Sequence, residues 1–365
     1  MSLEHLALTK TDDLTIRHQG AVHSGKVRSV YWLTSEDSQR LILEHHYSVP
    51  RSADLGVMIT SDSLSAFDCK WQAEDGLTGV PGKGAALNAV SQYSFKRLKE
   101  EGVGNNHLLD TPHPLVWIVQ KARPVLVEAI ARQYITGSMW RAYEKGEREF
   151  CGIQLPDGLQ KDQKLSELMI TPSTKGTLRG IPSVAEEEDT PISLAQIRQH
   201  YAAFNFYEPA DVSICMLMLK EGFGAIERDF DTKNSLLVDT KMEFGYVLNN
   251  EGMLEIIFMD EMTTPDSSRL WDKQLYQQGI IRENSKEPFR QYLLSTLDRD
   301  VLLDSKRMTE RKALAAATRI PVDQFMEVSG TYRNIVEKII GKSVPTVERP
   351  REEILDVLNR YGLVE

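Results

Sequence analysis

Cysteine is scarce in this chain, with three residues in 365: Cys69, Cys151 and Cys215. They are odd in number, far apart and outside any metal-ligand spacing, which excludes a disulfide scaffold and a thiolate zinc site and points to a reducing, cytoplasmic setting. An excess of base is also missing: 43 Lys and Arg stand against 53 Asp and Glu, a formal charge of −10. That balance argues against a protein that coats nucleic acid or an anionic membrane, while leaving room for a local basic pocket. No apolar run approaches membrane-spanning length. The amino-terminal stretch MSLEHLALTKTDDLTIRH carries acids early and has no apolar core, so no secretion signal is expected. Internal repeats, low-complexity tracts and a Ser or Cys nucleophilic triad are absent as well.

What is present is a soluble, mixed pattern with apolar content of 41% and charged content of 26%, in a chain long enough for two or three structural units. Lys26–Leu33 alternates as a strand, and Leu41–Glu44, Gly56–Thr60 and Leu115–Val119 read as further strands. A helix opens after Pro81-Gly82-Lys83-Gly84 and carries Leu87, Val90, Ser91, Phe95 and Leu98 along one side as far as Gly102. A second α+β region follows, interrupted by the Pro, Gly, Ser and Thr-rich stretch Thr171–Ser193, a long loop of the kind that serves as a lid. The last part reads as helices, one from about Ser305, one around Val322–Ile340 and one opened by Pro350. The expected organisation is a β-rich unit over residues 1–120, an α+β unit over 121–300 and a helical extension over 301–365.

The most informative stretch is DTKMEFGYVLNNEGMLEIIFMDEMTTPDSSR, from Asp239 to Arg269. Strand side chains alternate faces, so Asp239, Lys241 and Glu243 share one face and Val238, Thr240, Met242 and Phe244 the other. A row of fixed charges backed by a core face suits a metal–phosphate site. The turn Asn249-Asn250-Glu251-Gly252 permits two registers. Pairing Asn249 with Gly252 sets Lys241 opposite Asp260, with Glu243 diagonal to it, close enough for two carboxylates to grip one cation. A bulged turn shifts the pairing by one and brings Glu261 to that face instead. A solvated face of ordinary ion pairs is the competing reading.

Several weaker anion sites accompany it. Gly20–Val27 nearly fits a phosphate-binding P-loop but has Val27 where Ser or Thr should stand, and it leads into a strand rather than a helix. What remains is Lys26 and Arg28 on one strand face after a glycine. Pro81–Gly84 sets Lys83 at a helix start, where freed N–H groups attract anions. Arg132-Gln-Tyr-Ile-Thr-Gly-Ser138 offers Ser138 as a helix N-cap with Arg132 upstream. Asp266, Ser267 and Arg269 form a turn carrying a strong anion ligand. Together with two carboxylates placed for Mg²⁺, these describe ATP-dependent chemistry.

The blocks GKVRSVY (25–31), TSDSLSAFD (60–68), PGKGAALN (81–88), EAIARQYITGS (128–138), LPDGL (155–159), TPSTK (171–175), DTKMEFG (239–245) and DEMTTPDSSRLW (260–271) occur in order. On these residues the chain resembles the SAICAR synthetase family of purine biosynthesis. The resemblance implies a two-lobed α+β fold whose ATP site is related to those of ATP-grasp enzymes and protein kinases. It implies a ligase that joins carboxyaminoimidazole ribotide (CAIR) and L-aspartate, using ATP and Mg²⁺, through an acyl phosphate. Glu243 and Asp260 would then hold the metal, which favours the unbulged register. Lys26 and Lys241 would act on the ATP phosphates, with Arg28 and Lys83 nearby and Gln120 and Lys121 at the adenine. Arg132, Ser138 and Arg269 would take the ribotide phosphate, Asp239 its imidazole, and Lys175, Asp266, Ser267 and Arg290 further substrate contacts. Three departures stand out: Ser63 in place of a common Arg, Leu126-Val127-Glu128 in place of Pro-Leu-Glu, and Glu188-Asp189-Thr190-Pro191 in place of His-Asp-Glu-Asn in the lid. A monomer or homodimer is expected. The alternatives are a small-molecule kinase, which would release ADP without L-aspartate, and a non-catalytic nucleotide-binding regulator, which would bind ATP without turnover.

Overall fold

Two antiparallel sheets organise the chain in this computed structural model, which describes residues 3–365. The first has the order His23–Ser24, Arg28–Trp32, Leu55–Thr60, Val116–Gln120, Leu108–His113. Its central strand Leu55–Thr60 is buried along its whole length, which accounts for its unbroken apolar run. Val30, Met58, Trp117 and Val119 face the main core and the helix Lys83–Glu100. Tyr31, Val57, Ile59 and Ile118 face a second core that includes Leu41, Ile42 and Leu358.

The expected strand Leu41–Glu44 is instead the last turn of the helix Ser35–Glu44. Thr34 caps it by accepting the Asp37 N–H at 3.1 Å, and Glu36 and Asp37 occupy its first turn. A four-residue apolar run fits either element, and only the cap upstream discriminates. The helix Lys83–Glu100 forms where expected. Gly84 lets it seat against the sheet: a Cβ there would meet Thr60 O at 3.0 Å and Ser61 O at 3.1 Å.

The second sheet is built around one long strand, Ser235–Leu248. Its first half pairs with Val127–Tyr134 and Ser268–Asp272; its second half pairs with Leu254–Met259 and Arg123–Pro124. The helix Pro209–Asp231 covers its apolar face, where Met242 and Phe244 join Cys215, Leu219 and Phe223 in the main core. The long loop is anchored rather than loose. Ser173–Thr174 pairs with Val127 and Glu128, Ser173 bridges Pro191, and Thr174 N–H donates to Thr190 O at 2.9 Å.

The hairpin adopts the bulged register. Glu243 faces Met259 and Leu248 faces Leu254, and Asn249 N–H donates to Met253 O at 2.9 Å, so Asn249 does not face Gly252. Gly252 takes the left-handed backbone (φ +77) that this five-residue turn needs. The expectation of an unbulged turn is therefore corrected. Continued alternation would now swing Asp260 away from Glu243, but the ladder stops at Met259 and Asp260 itself is left-handed (φ +61). That local reversal leaves both Asp260 and Glu261 beside Arg28.

Three helices close the chain, Met308–Ala317, Val322–Ile340 and Pro350–Arg360, the last with proline in its first turn. They complete both cores: Phe325, Tyr332, Ile335, Val336 and Ile339 enter the main one, and Ile354, Leu358 and Leu363 the second. Each fully buried side chain of this kind contributes about 1.5–3 kcal/mol, so the extension is integral to folding. No helix among the described residues is long and apolar enough to cross a membrane.

Candidate active site

Asp239, Lys241 and Glu243 project from one face of the long strand, and both acids are almost sealed from solvent. Buried carboxylates persist only with partners. Lys241 Nζ lies 2.6 Å from Glu128 Oε1 and 3.2 Å from Glu243 Oε1. Glu128 arrives from Val127–Tyr134, whose register sets Ala129 opposite Met242. Lys175, which follows the short strand Ser173–Thr174, takes the other oxygen of Glu243. The two lysines titrate in opposite directions. Burial would lower Lys241, but Glu128 at hydrogen-bond distance overrules it and raises the pKa. For Lys175 burial prevails: Asp260 opposes it, Lys241 and Arg28 reinforce it, and the ammonium is held below its ordinary range.

Arg28 closes this group from the first sheet, 3.1 Å from Glu261 Oε2 and 3.5 Å from Asp260 Oδ1. Burial works against its charge, and Glu261 and Asp260 more than compensate, so its pKa rises. Asp260 is held below the usual carboxylate range: burial would raise it, and Arg28, Lys175 and Lys241 overrule burial. Lys26 does not share a strand face with Arg28 as expected. It lies in the turn between His23–Ser24 and Arg28–Trp32, closed by Gly25 N–H on Arg28 O at 2.7 Å, and pairs with Asp68.

At the other end of the charged face, Asp239 sits between two arginines. Arg132 Nη1 lies 2.8 Å from Asp239 Oδ2, Arg269 pairs with the same oxygen, and the Arg269 N–H donates to Oδ1 at 3.1 Å. Burial would raise the Asp239 pKa, but Arg269 and Arg132 hold it low. Arg269 also lies 3.5 Å from Glu287, which pairs with Arg290 at 3.3 Å. Against this arginine cluster sits the start of the helix Gly137–Glu144. Gly137 is required there, since its φ is +59 and a Cβ would approach Arg269 Nη2 to 2.5 Å. The N-cap is Thr136 rather than Ser138; Ser138 is the helix's second residue and is exposed.

Other expected residues lie elsewhere. Lys83 is fully buried and 2.8 Å from Asp266 Oδ2, and Lys286 is 3.4 Å from the same oxygen. Burial therefore withdraws Lys83 from the expected phosphate contact. Asp266 carries these two cations and the Tyr332 hydroxyl, which together hold its pKa low against burial. Ser267 N–H donates to Thr264 O at 3.1 Å, and Ser267 O accepts the Lys241 N–H at 3.0 Å, which ties the Asp266 turn to the long strand. Gln120 ends its strand with its N–H on His107 O at 2.8 Å, and its side chain borders a cavity of about 720 Å³ with His45, Tyr47, Asn106 and Leu248. Lys121 N–H donates to Asp54 O at 2.8 Å.

The donor set suits Mg²⁺ rather than a softer metal: Glu243 and Asp260 offer hard oxygens, with Glu261 beside them. Among the described residues no group of three or more His, Cys, Asp and Glu is placed to hold a metal ion. Mg²⁺ needs only one or two protein carboxylates and completes its shell with phosphate and water; here Glu243 is held by Lys175 and Lys241, and Asp260 lies beside Arg28. Arg28 Nε, buried without a hydrogen-bond partner, is a donor that an anionic group would satisfy.

Residues 21–301 match the family model described as SAICAR synthetase. The chain belongs to the SAICAR synthetase family. Its members are ligases of purine biosynthesis. A phosphoribosylaminoimidazole-succinocarboxamide synthase of Vibrio cholerae is 56% identical over 367 aligned positions, covering 100% of both chains. The fold is shared with solved SAICAR synthetases. The Saccharomyces cerevisiae enzyme complexed with SAICAR has a TM-score of 0.63 at 24% identity, covering 92% of this chain and 99% of that one. A type-2 SAICAR synthetase in complex with ADP has a TM-score of 0.54 at 19% identity, covering 89% and 100%.

Sequence reading assigned no role to Glu128, Arg141 or Asp189, which lie close to the site residues; Glu261, expected at the site only in the bulged register, lies 3.1 Å from Arg28. Arg141, one helical turn after Ser138, shares the electrostatic neighbourhood of Glu287, Arg269 and Arg290. Asp189 of the lid lies in the field of Lys26, Lys241 and Glu128, and burial with Glu128 and Asp68 pushes its pKa up. Its retention at the Asp of the family's His-Asp-Glu-Asn pattern was the available signal.

Proposed function

We propose that this chain joins CAIR and L-aspartate at the expense of ATP, giving SAICAR, ADP and phosphate. The observation that carries the reading is the division of one strand face. Asp239 is clamped by Arg132 and Arg269 at one end, and Glu243 is held between Lys175 and Lys241 at the other. The first end suits a phosphorylated ribotide, with Ser138 and Arg290 at its phosphate and Asp239 toward its imidazole. The second suits the ATP phosphates. The names of the relatives and of the SAICAR and ADP complexes support the same assignment.

A carboxylate resists an amine because its carbon is electron-rich and oxide leaves poorly. Chemistry therefore proceeds in two displacements. A CAIR carboxylate oxygen attacks the γ-phosphorus and ADP leaves, forming an acyl phosphate. The aspartate amine then attacks the acyl carbon, inorganic phosphate leaves with the bonding pair, and the nitrogen gives up a proton. Lys241 and Lys26 stabilise charge on the transferring phosphoryl group, and Arg28 steers it, so catalysis is positioning and electrostatics without a protein nucleophile. Glu243 and Asp260 would hold Mg²⁺, which would supply charge neutralisation between the anionic reactants. Gln120 and Lys121 lie toward the adenine in this reading, with their N–H groups already engaged by His107 O and Asp54 O, and Lys175 brings the lid loop to the site. The two sheets correspond to the two lobes of this reading, residues 1–120 and 121–300.

A coupled assay with CAIR, L-aspartate and MgATP, omitting each in turn, tests it. Sustained turnover is expected only with all three present, with one succinocarboxamide formed per ADP. Sustained ADP release with accumulation of a stable phosphorylated CAIR product in the absence of L-aspartate would overturn the proposal in favour of a kinase.

A further inference from the structure

Outside the family-matched region, the helix Val322–Ile340 sends Tyr332 into the interior beside the site. Tyr332 is fully buried, and its hydroxyl donates to Asp266 Oδ1. A buried phenol needs an acceptor, and this acceptor is a carboxylate that already carries Lys83 and Lys286 on its other oxygen. Burial and the Asp266 charge push the Tyr332 phenol well above its ordinary pKa, so it stays a donor throughout the working range.

Asp266 is the apex of a tight turn. Thr264 Oγ1 accepts the N–H groups of Asp266 and Ser267 at 3.2 Å each, and Thr264 O accepts the Ser268 N–H at 2.8 Å. The same Thr264 hydroxyl donates to Glu261 Oε2 at 2.5 Å, and Glu261 lies 3.1 Å from Arg28. Arg269, on the far side of the turn, pairs with Asp239. One hydrogen-bonded turn thus joins the arginine end of the site to Glu261 and Arg28, and Tyr332 grips its apex. The helix has its own anchor nearby, Ser329 Oγ on Pro81 O at 2.7 Å, which does not touch the turn.

We infer that Tyr332 is a positioning residue: through Asp266 it fixes the Thr264–Arg269 turn that presents Ser267 and Arg269 to the ribotide. The inference rests on the ligase reading for its kinetic consequence, but its structural half does not. Tyr332→Phe keeps the ring in the core and deletes only the donor. Loss of a hydrogen bond to a buried charge is expected to raise the KM for CAIR by about ten-fold. The KM for ATP should stay within about two-fold and kcat should fall less than the CAIR specificity does. Ser329→Ala removes a comparable hydrogen bond from the same helix and should leave the CAIR KM unchanged. Amide hydrogen exchange read over the turn in both variants separates the two proposals. Faster exchange at Asp266–Ser268 in Tyr332→Phe, with Ser329→Ala like the parent, supports the positioning role even in a protein that fails to ligate. Unchanged exchange in Tyr332→Phe, or equal shifts in the CAIR and ATP constants, would overturn it.

Discussion

Lys241 lies 3.2 Å from Glu243, two residues further along the same strand, and Lys175 of the long loop takes the carboxylate's remaining oxygen. Glu243→Gln keeps the shape and the accepting oxygen but removes the charge that two ammonium groups share. Turnover is expected to fall by at least about a hundred-fold, while urea stability falls by only about 1–2 kcal/mol because the amide still accepts one hydrogen bond. Steady-state rates across a Mg²⁺ titration check this. Near-parental turnover with the same Mg²⁺ dependence would remove Glu243 from the metal and phosphate role.

Asp239 depends on its arginines. Arg132→Met leaves a nearly sealed carboxylate with Arg269 as its remaining cation, and the expected loss is about 3 kcal/mol of unfolding free energy. Asp239→Asn combined with Arg132→Met should not recover that loss, because Arg269 then keeps only Glu287, at 3.5 Å. Chemical denaturation of the single and double variants measures both. A neutral single variant would mean that solvent, not Arg132, balances Asp239.

His107 predicts an acid limb. Burial pushes its imidazole down to about 4 from an ordinary 6.5, with Arg28 and Lys175 adding to the effect and Asp260 opposing it. Between those two values the unfolded chain binds a proton at this site and the folded chain does not. Stability is therefore lost as pH falls through the window, by about 3 kcal/mol in all, and levels off once the folded form is also protonated. His107→Gln should show a shallower fall in urea stability between pH 7 and about pH 4 than the parent. Parallel profiles would show that other groups set the acid limb.

Lys83→Met separates burial from nucleotide contact. With Lys83 fully enclosed beside Asp266, the substitution should cost about 2–3 kcal/mol of stability and leave the KM for ATP within about two-fold. A large rise in that constant without destabilisation would return Lys83 to the phosphate site.

The contrast between Lys83 and Lys241 shows what the sequence could convey. The Asp239, Lys241 and Glu243 face was legible because two-residue alternation is a property of the strand backbone itself. The helix after Gly84 was legible from its periodic apolar side. Lys83 was not, because a glycine-flanked lysine at a helix start looks the same whether it meets solvent or Asp266, 183 residues away. The hairpin register failed for a different reason: Asn-Asn-Glu-Gly serves two turns, and the left-handed backbone at Asp260 then restored the aspartate that the shifted register had removed. Tyr332 carried no local signal at all, since one tyrosine on a helix's buried side reads as core.

The long strand Ser235–Leu248 also works as a measuring rod. Asp239 and Glu243 are separated by covalently fixed backbone that rises about 3.4 Å per residue, so the two ends of the site stand about 13–14 Å apart whatever the loops do. Adding or removing one residue between them would do more than stretch this gauge. It would turn Glu243 to the apolar side, among Met242 and Phe244. Spacing along the rod is therefore quantised in pairs of residues.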